Sequence, residues 1–124
     1  MMTNNLTNNL MNTSTVDLSN EAFYQPIHDA LHGIQSRFDV YQREKFTARP
    51  PEFFSLELCG EAGELANLEK KLWKGKAISH DAVSDEAADV LIALMNYANA
   101  RGVDLGAAVV AKLHRIEENM KDKV

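Results

Sequence analysis

Apolar residues recur along this chain every three to four positions, and nowhere do they alternate with polar ones as strands require. The first run is Ile27, Leu31, Ile34, Phe38 and Tyr41, one face of a helix that reaches about Phe46. Pro26 suits its first turn, and Ser19 or Asn20 can start a short helical turn over Glu21–Gln25 just before it. Pro50 and Pro51 end this run, because a proline disfavours helix in the residue ahead of it. A second helix is predicted from about Glu52 to Trp73 or Lys74, with Phe54, Leu58, Leu65, Leu68 and Leu72 on its apolar face and Gly75 beyond its end. Ser84, followed by Asp85 and Glu86, marks a third helix start, and Val90, Leu91, Leu94 and Tyr97 carry its apolar side to Arg101. Gly102 stops it. Asp104 then caps a last helix, Leu105 to about Met120, with Val109, Val110, Leu113 and Ile116 inside. The pattern predicts an all-α domain over residues 19–124, a four-helix bundle, behind an Asn/Thr-rich flexible tail over residues 1–18.

Charged positions change this picture at two places. Glu61 and Glu64 lie three apart on the second helix, and Glu86 and Asp89 three apart on the third. That spacing points both carboxylates of a pair the same way. No lysine or arginine stands three or four residues from Glu61 or Glu64, and Glu57 adds another acid one turn earlier. Four acids converging from two packed helices repel one another unless a cation lies between them. An all-oxygen donor set suits a hard ion such as Mg²⁺. The ordinary alternative is a solvated acidic helix surface, and spacing alone leaves the two readings even. Gly60 and Gly63 each cost about 1 kcal/mol in a helix interior, so close helix packing or room for a ligand is expected beside them.

Composition narrows the class. The 124 residues are 45% hydrophobic and 25% charged, within the range of one globular domain. A net charge of −5 with no basic stripe argues against a general nucleic-acid binder. The single Cys59 cannot form an intramolecular disulfide, which suits a reducing cytoplasm, and a small packing role is expected for it. No apolar run is long enough for a membrane span, and the N-terminus lacks a secretory signal pattern. His28 and His32 lie four apart but lack a third ligand, so a solvated or partner-contacting pair is expected.

Gly60-Glu61-Ala62-Gly63-Glu64-Leu65-Ala66 followed by Asp85-Glu86-Ala87-Ala88-Asp89-Val90-Leu91 resembles the signature of the MazG-like all-α nucleoside triphosphate pyrophosphohydrolases. The likeness runs on through Gly102-Val103-Asp104-Leu105 and covers about residues 30–115. It implies that Glu61, Glu64, Glu86 and Asp89 bind two or more Mg²⁺ ions, with Mn²⁺ as a substitute. The implied reaction is hydrolysis of a nucleoside triphosphate, ribo or deoxy, to the monophosphate and pyrophosphate. A homodimer or homotetramer with shared sites is implied too. Many such proteins carry a glutamate where this chain has Gly60, so the proton acceptor is open between Glu57 and a metal-activated water, with Glu61 also assigned to the catalytic group. Lys71 and Lys74, on nearly the same face as Glu64, are candidates for the outer phosphates, as are Lys112 and Arg115 on the last helix. Asn96 and Asn99 can hydrogen-bond a base or satisfy a helix contact. Phe38, Phe53, Phe54, Trp73 and Tyr97 offer flat surfaces, though core packing is the ordinary role of each. The substrate reading leans towards dGTP and GTP, with dCTP and dUTP open. The competing reading is a non-catalytic helical interaction module that uses its acidic face to bind a partner. A di-iron bundle would need Glu-x-x-His pairs, and no His lies three residues after Glu61 or Glu86.

Overall fold

A computed structural model describes residues 16–122, and the expected tail falls largely outside the described residues. Four α-helices are present among the described residues: α1 (Gln25–Lys45), α2 (Pro51–Trp73), α3 (His80–Arg101) and α4 (Leu105–Lys121). A π-helical turn, Asn20–Tyr24, leads directly into α1, and the Ser19 hydroxyl accepts the Ala22 N–H at its start. No strand occurs among the described residues.

Local chemistry sets the ends. Pro51 occupies the first turn of α2, where its missing N–H costs nothing. The Asp104 side chain accepts the Ala107 N–H and opens α4. Gly75 and Gly102 close α2 and α3 in the left-handed region, with φ of 84° and 74°. At the end of α3, the Val103 N–H reaches back to the Ala98 carbonyl.

One boundary differs from expectation. α3 begins at His80, not at Ser84, because the Ser79 hydroxyl accepts the Ala82 N–H and Asp81 sits in the first turn. Glu86 and Asp89 therefore belong to the second and third turns. There they are carried on the body of the helix and not at its N-terminal dipole.

The helices pair two by two. α2 packs along α3, α1 packs along α4, and α1 also touches α3. α2 and α3 run antiparallel: Glu61 approaches Glu86 and Asp89, whereas Phe54, two turns earlier, shares a pocket with Asn96, two turns later. The α1–α4 crossing is close. A Cβ at Gly106 would come within 2.5 Å of the His28 carbonyl oxygen, so only glycine fits there.

The buried apolar residues among those described are Tyr24, Phe54, Ala93, Met95 and Ala98. Two of the five are alanines, so one chain encloses only a thin core. Of the expected α1 face, Ile34 and Tyr41 are exposed, and the buried residue is Gln35. Its Nε2 donates to the Val103 carbonyl, its Oε1 accepts the Leu105 N–H at 2.9 Å, and its own carbonyl accepts from Asn99 Nδ2 at 3.0 Å. This residue ties α1 to the α3–α4 connection.

The outer faces of the α2–α3 hairpin stay open. Leu56, Trp73, Leu91 and Ile92 are exposed, Trp73 to 87%. Cys59, expected to pack, is exposed as well. No atom of the described residues lies within 4 Å of a Cβ built on Gly60 or Gly63, so close packing among them does not explain either glycine. No helix among the described residues is long and apolar enough to cross a membrane.

Candidate metal centre

Residues of α2 facing α3 follow a four-three rhythm: Phe54, Leu58, Glu61, Leu65, Leu68 and Leu72. Glu61 occupies the place in that stripe where a leucine would complete the seam. On α3 the matching stripe is Ala82, Glu86, Asp89, Ala93 and Asn96. Acids are thus set into the helix–helix contact itself, flanked by alanine and leucine.

Ligand atoms of Glu61, Glu86 and Asp89 lie within 4.8 Å of one another, and all three side chains are half-buried. Oε2 of Glu61 and Oε2 of Glu86 are buried without a hydrogen-bond partner. An unpaired buried carboxylate oxygen is costly, so these two atoms call for a proton or a cation. Burial, followed by the neighbouring Glu64 and Glu61 carboxylates, pushes Glu86 up to about 7. Glu61 is raised as well, by burial first and then by the charges of Glu64 and Asp89.

The donor set fits a hard divalent ion: only carboxylate oxygens, two of them orphaned, at a spacing a single ion can span. Glu64 is exposed and lies beside Glu86 at the rim of the cluster. Glu57, one turn before Glu61, is exposed and lines a neighbouring pocket with Phe53 and Asn96.

The remaining candidates separate. Lys71 is half-buried and Lys74 exposed, two and three turns beyond Glu64 along α2. Lys112 and Arg115 are exposed on α4, whose main partner is α1, so this chain does not bring them to the carboxylates. Asn99 is occupied in the helix contact with Gln35, whereas Asn96 is buried with its Oδ1 unpartnered. Phe54 is buried and Phe38, Phe53 and Tyr97 are half-buried, but Trp73 stands in solvent and packs in no core. His28 and His32 stack at 6.1 Å; His28 lies 3.1 Å from Asp29 and His32 3.8 Å from Asp104. Arg49, which neither acidic motif points to, lies 4.8 Å above the Phe53 ring. An arginine four residues ahead of a phenylalanine, across a proline pair, is the one sequence signal for it.

Comparison with protein-family models, curated proteins and solved structures returns no match.

Proposed function

We propose that this protein is a Mg²⁺-dependent nucleoside triphosphate pyrophosphohydrolase, releasing a nucleoside monophosphate and pyrophosphate. One observation carries the reading: Glu61, Glu86 and Asp89 converge within a helix seam while two of their oxygens remain unpartnered. Evenly solvated surface acids would not be set into an apolar stripe. The order and spacing of the two motifs supply the reaction class, through their resemblance to the MazG-like signature.

In this reading Glu61, Glu86 and Asp89 hold the cations from both helices, with Glu64 at the rim. When bound, Mg²⁺ neutralises charge on the phosphate oxygens and acidifies a water beside them. Glu57, one turn from the cluster, would accept a proton at a carboxylate oxygen. Lys71 and Lys74 continue along α2 towards the outer phosphates, and Lys112 would join only from another chain.

We also propose that the working form is a homo-oligomer, a dimer or tetramer. The thin core and the exposed Leu56, Trp73, Leu91 and Ile92 support it, as do two glycines that none of the described residues packs against. A strictly monomeric mass by light scattering would remove this part of the reading.

The test of function is product analysis after incubation with all eight common ribo- and deoxyribonucleoside triphosphates, with Mg²⁺ and with EDTA. Monophosphate and pyrophosphate from a subset, lost in EDTA, is the expected result. If none is released, the open hairpin faces favour the interaction-module reading instead.

A further inference from the structure

Away from the carboxylate cluster, α1 carries His28 and His32 one turn apart, their rings parallel within 2° and 6.1 Å from each other. The order of residues puts no third group beside them; the fold does. Asp104, at the start of α4, turns one oxygen each way. Its Oδ1 accepts the Ala107 N–H at 3.1 Å, and its Oδ2 lies 3.8 Å from His32 Nδ1. His28 is served similarly from its own helix: Asp29 Oδ1 lies 3.1 Å from His28 Nδ1 and also accepts from Gln25 Nε2 at 3.0 Å. Both rings thus face a carboxylate with the same nitrogen. Asp104 is held in place as well, because Gln35 binds the Val103 carbonyl on one side of it and the Leu105 N–H on the other.

We propose that His28 and His32 bind a divalent ion of the zinc class through their Nε2 atoms, with Asp29 and Asp104 as the carboxylates behind them. A carboxylate that accepts the Nδ1–H fixes the tautomer with a lone pair on Nε2 and makes that nitrogen a better donor. Two histidines at i and i+4 share one helix face, the spacing with which helices hold Zn²⁺. Imidazole nitrogen suits Zn²⁺, Ni²⁺ or Cu²⁺, whereas Mg²⁺ goes to oxygen donors such as those between α2 and α3. Zn–N bonds of about 2.0–2.1 Å draw the two nitrogens closer than the stacked rings stand. Side chains that are 37% and 63% exposed have the room to swing in, and water completes the coordination. An ion held there and backed by Asp104 clips the first turns of α1 to the start of α4, in a chain whose own core is thin.

The site shares no residue with the α2–α3 cluster, so its test stands apart from the proposed reaction. Zn²⁺ is titrated calorimetrically into the full chain with Mg²⁺ in excess. Binding in the micromolar range, with a rise in melting temperature, is expected; His28→Gln and His32→Gln should each lose it, and Glu61→Gln should keep it. Asp104→Asn retains a good capping residue while removing the charge, and should weaken Zn²⁺ binding about tenfold or more, as should Asp29→Asn. In ¹⁵N-histidine spectra, Zn²⁺ should move the Nε2 signals of these two residues and leave both as Nδ1–H tautomers. No Zn²⁺ binding, or binding that either histidine variant retains in full, overturns the inference. Affinity unchanged in both aspartate variants overturns the built site and leaves only an adventitious pair of surface histidines.

Discussion

Two regions of this molecule bury polar side chains between helices, and they do so to opposite effect. At the α1 crossing, Gln35 is buried with both ends of its amide engaged, Nε2 by Val103 and Oε1 by Leu105. In the α2–α3 seam, Glu61 and Glu86 are partly buried with an oxygen each left over. A satisfied buried amide fixes the position of a helix, and its partners are all in the chain. An unsatisfied carboxylate pair weakens the fold unless something outside the chain completes it. The difference marks Gln35 as architecture and leaves the acid cluster as the candidate site.

The largest expected effect breaks the site half of this comparison. Glu61→Gln and Asp89→Asn should each reduce Mg²⁺-dependent turnover to the no-enzyme level while leaving far-UV circular dichroism unchanged. Full activity in either variant would remove that residue from the centre. On the architectural side, Gln35→Leu leaves the Val103 carbonyl and Leu105 N–H without their partner. A loss of about 2–4 kcal/mol in urea denaturation is expected, and no loss would show that the contact is dispensable. Gly106→Ala forces α1 and α4 apart at His28 and should cost about 1–3 kcal/mol by the same measurement.

Smaller effects sharpen the comparison. Gly63→Ala has open space around its new methyl within one chain, so a protein acting alone should gain up to about 1 kcal/mol from helix propensity. A drop in oligomer mass or activity instead would locate a second chain or substrate on that face. A further expected effect is in pH. Folding holds Glu86 near 7 against an ordinary value of 4.5, and raises Glu61 in the same sense. The folded state then binds more protons than the unfolded one between those values. Stability from this source is full below about 4.5 and lost as pH rises through about 7. In EDTA the melting temperature should fall across that window, and saturating Mg²⁺ should flatten the fall. A melting temperature that rises with pH in EDTA would contradict burial of the cluster.

Much of this architecture is legible in the order of the residues. The four helices follow from apolar spacing, and their ends from Pro51, Gly75, Gly102 and Asp104, because capping is settled by residues a few positions apart. The start of α3 is not legible in the same way: Ser79 and Ser84 offer equal local signals, and only continuation of the helix chooses between them. Trp73 and Cys59 are core residues by type, yet no surface among the described residues covers them.

What the sequence determined by itself is local: helix periodicity, caps, and the pairing of acids at i and i+3, all functions of neighbours along the chain. What the tertiary structure decided is which side chains meet and which are satisfied. It placed Glu61, Glu86 and Asp89 together, left Lys112 on a helix paired elsewhere, and gave Asn99 a partner while leaving Asn96 without one. Those outcomes depend on how α2 lies against α3 and how α1 crosses towards α4. That depends on long-range burial and hydrogen-bond completion, which no run of neighbouring residues encodes.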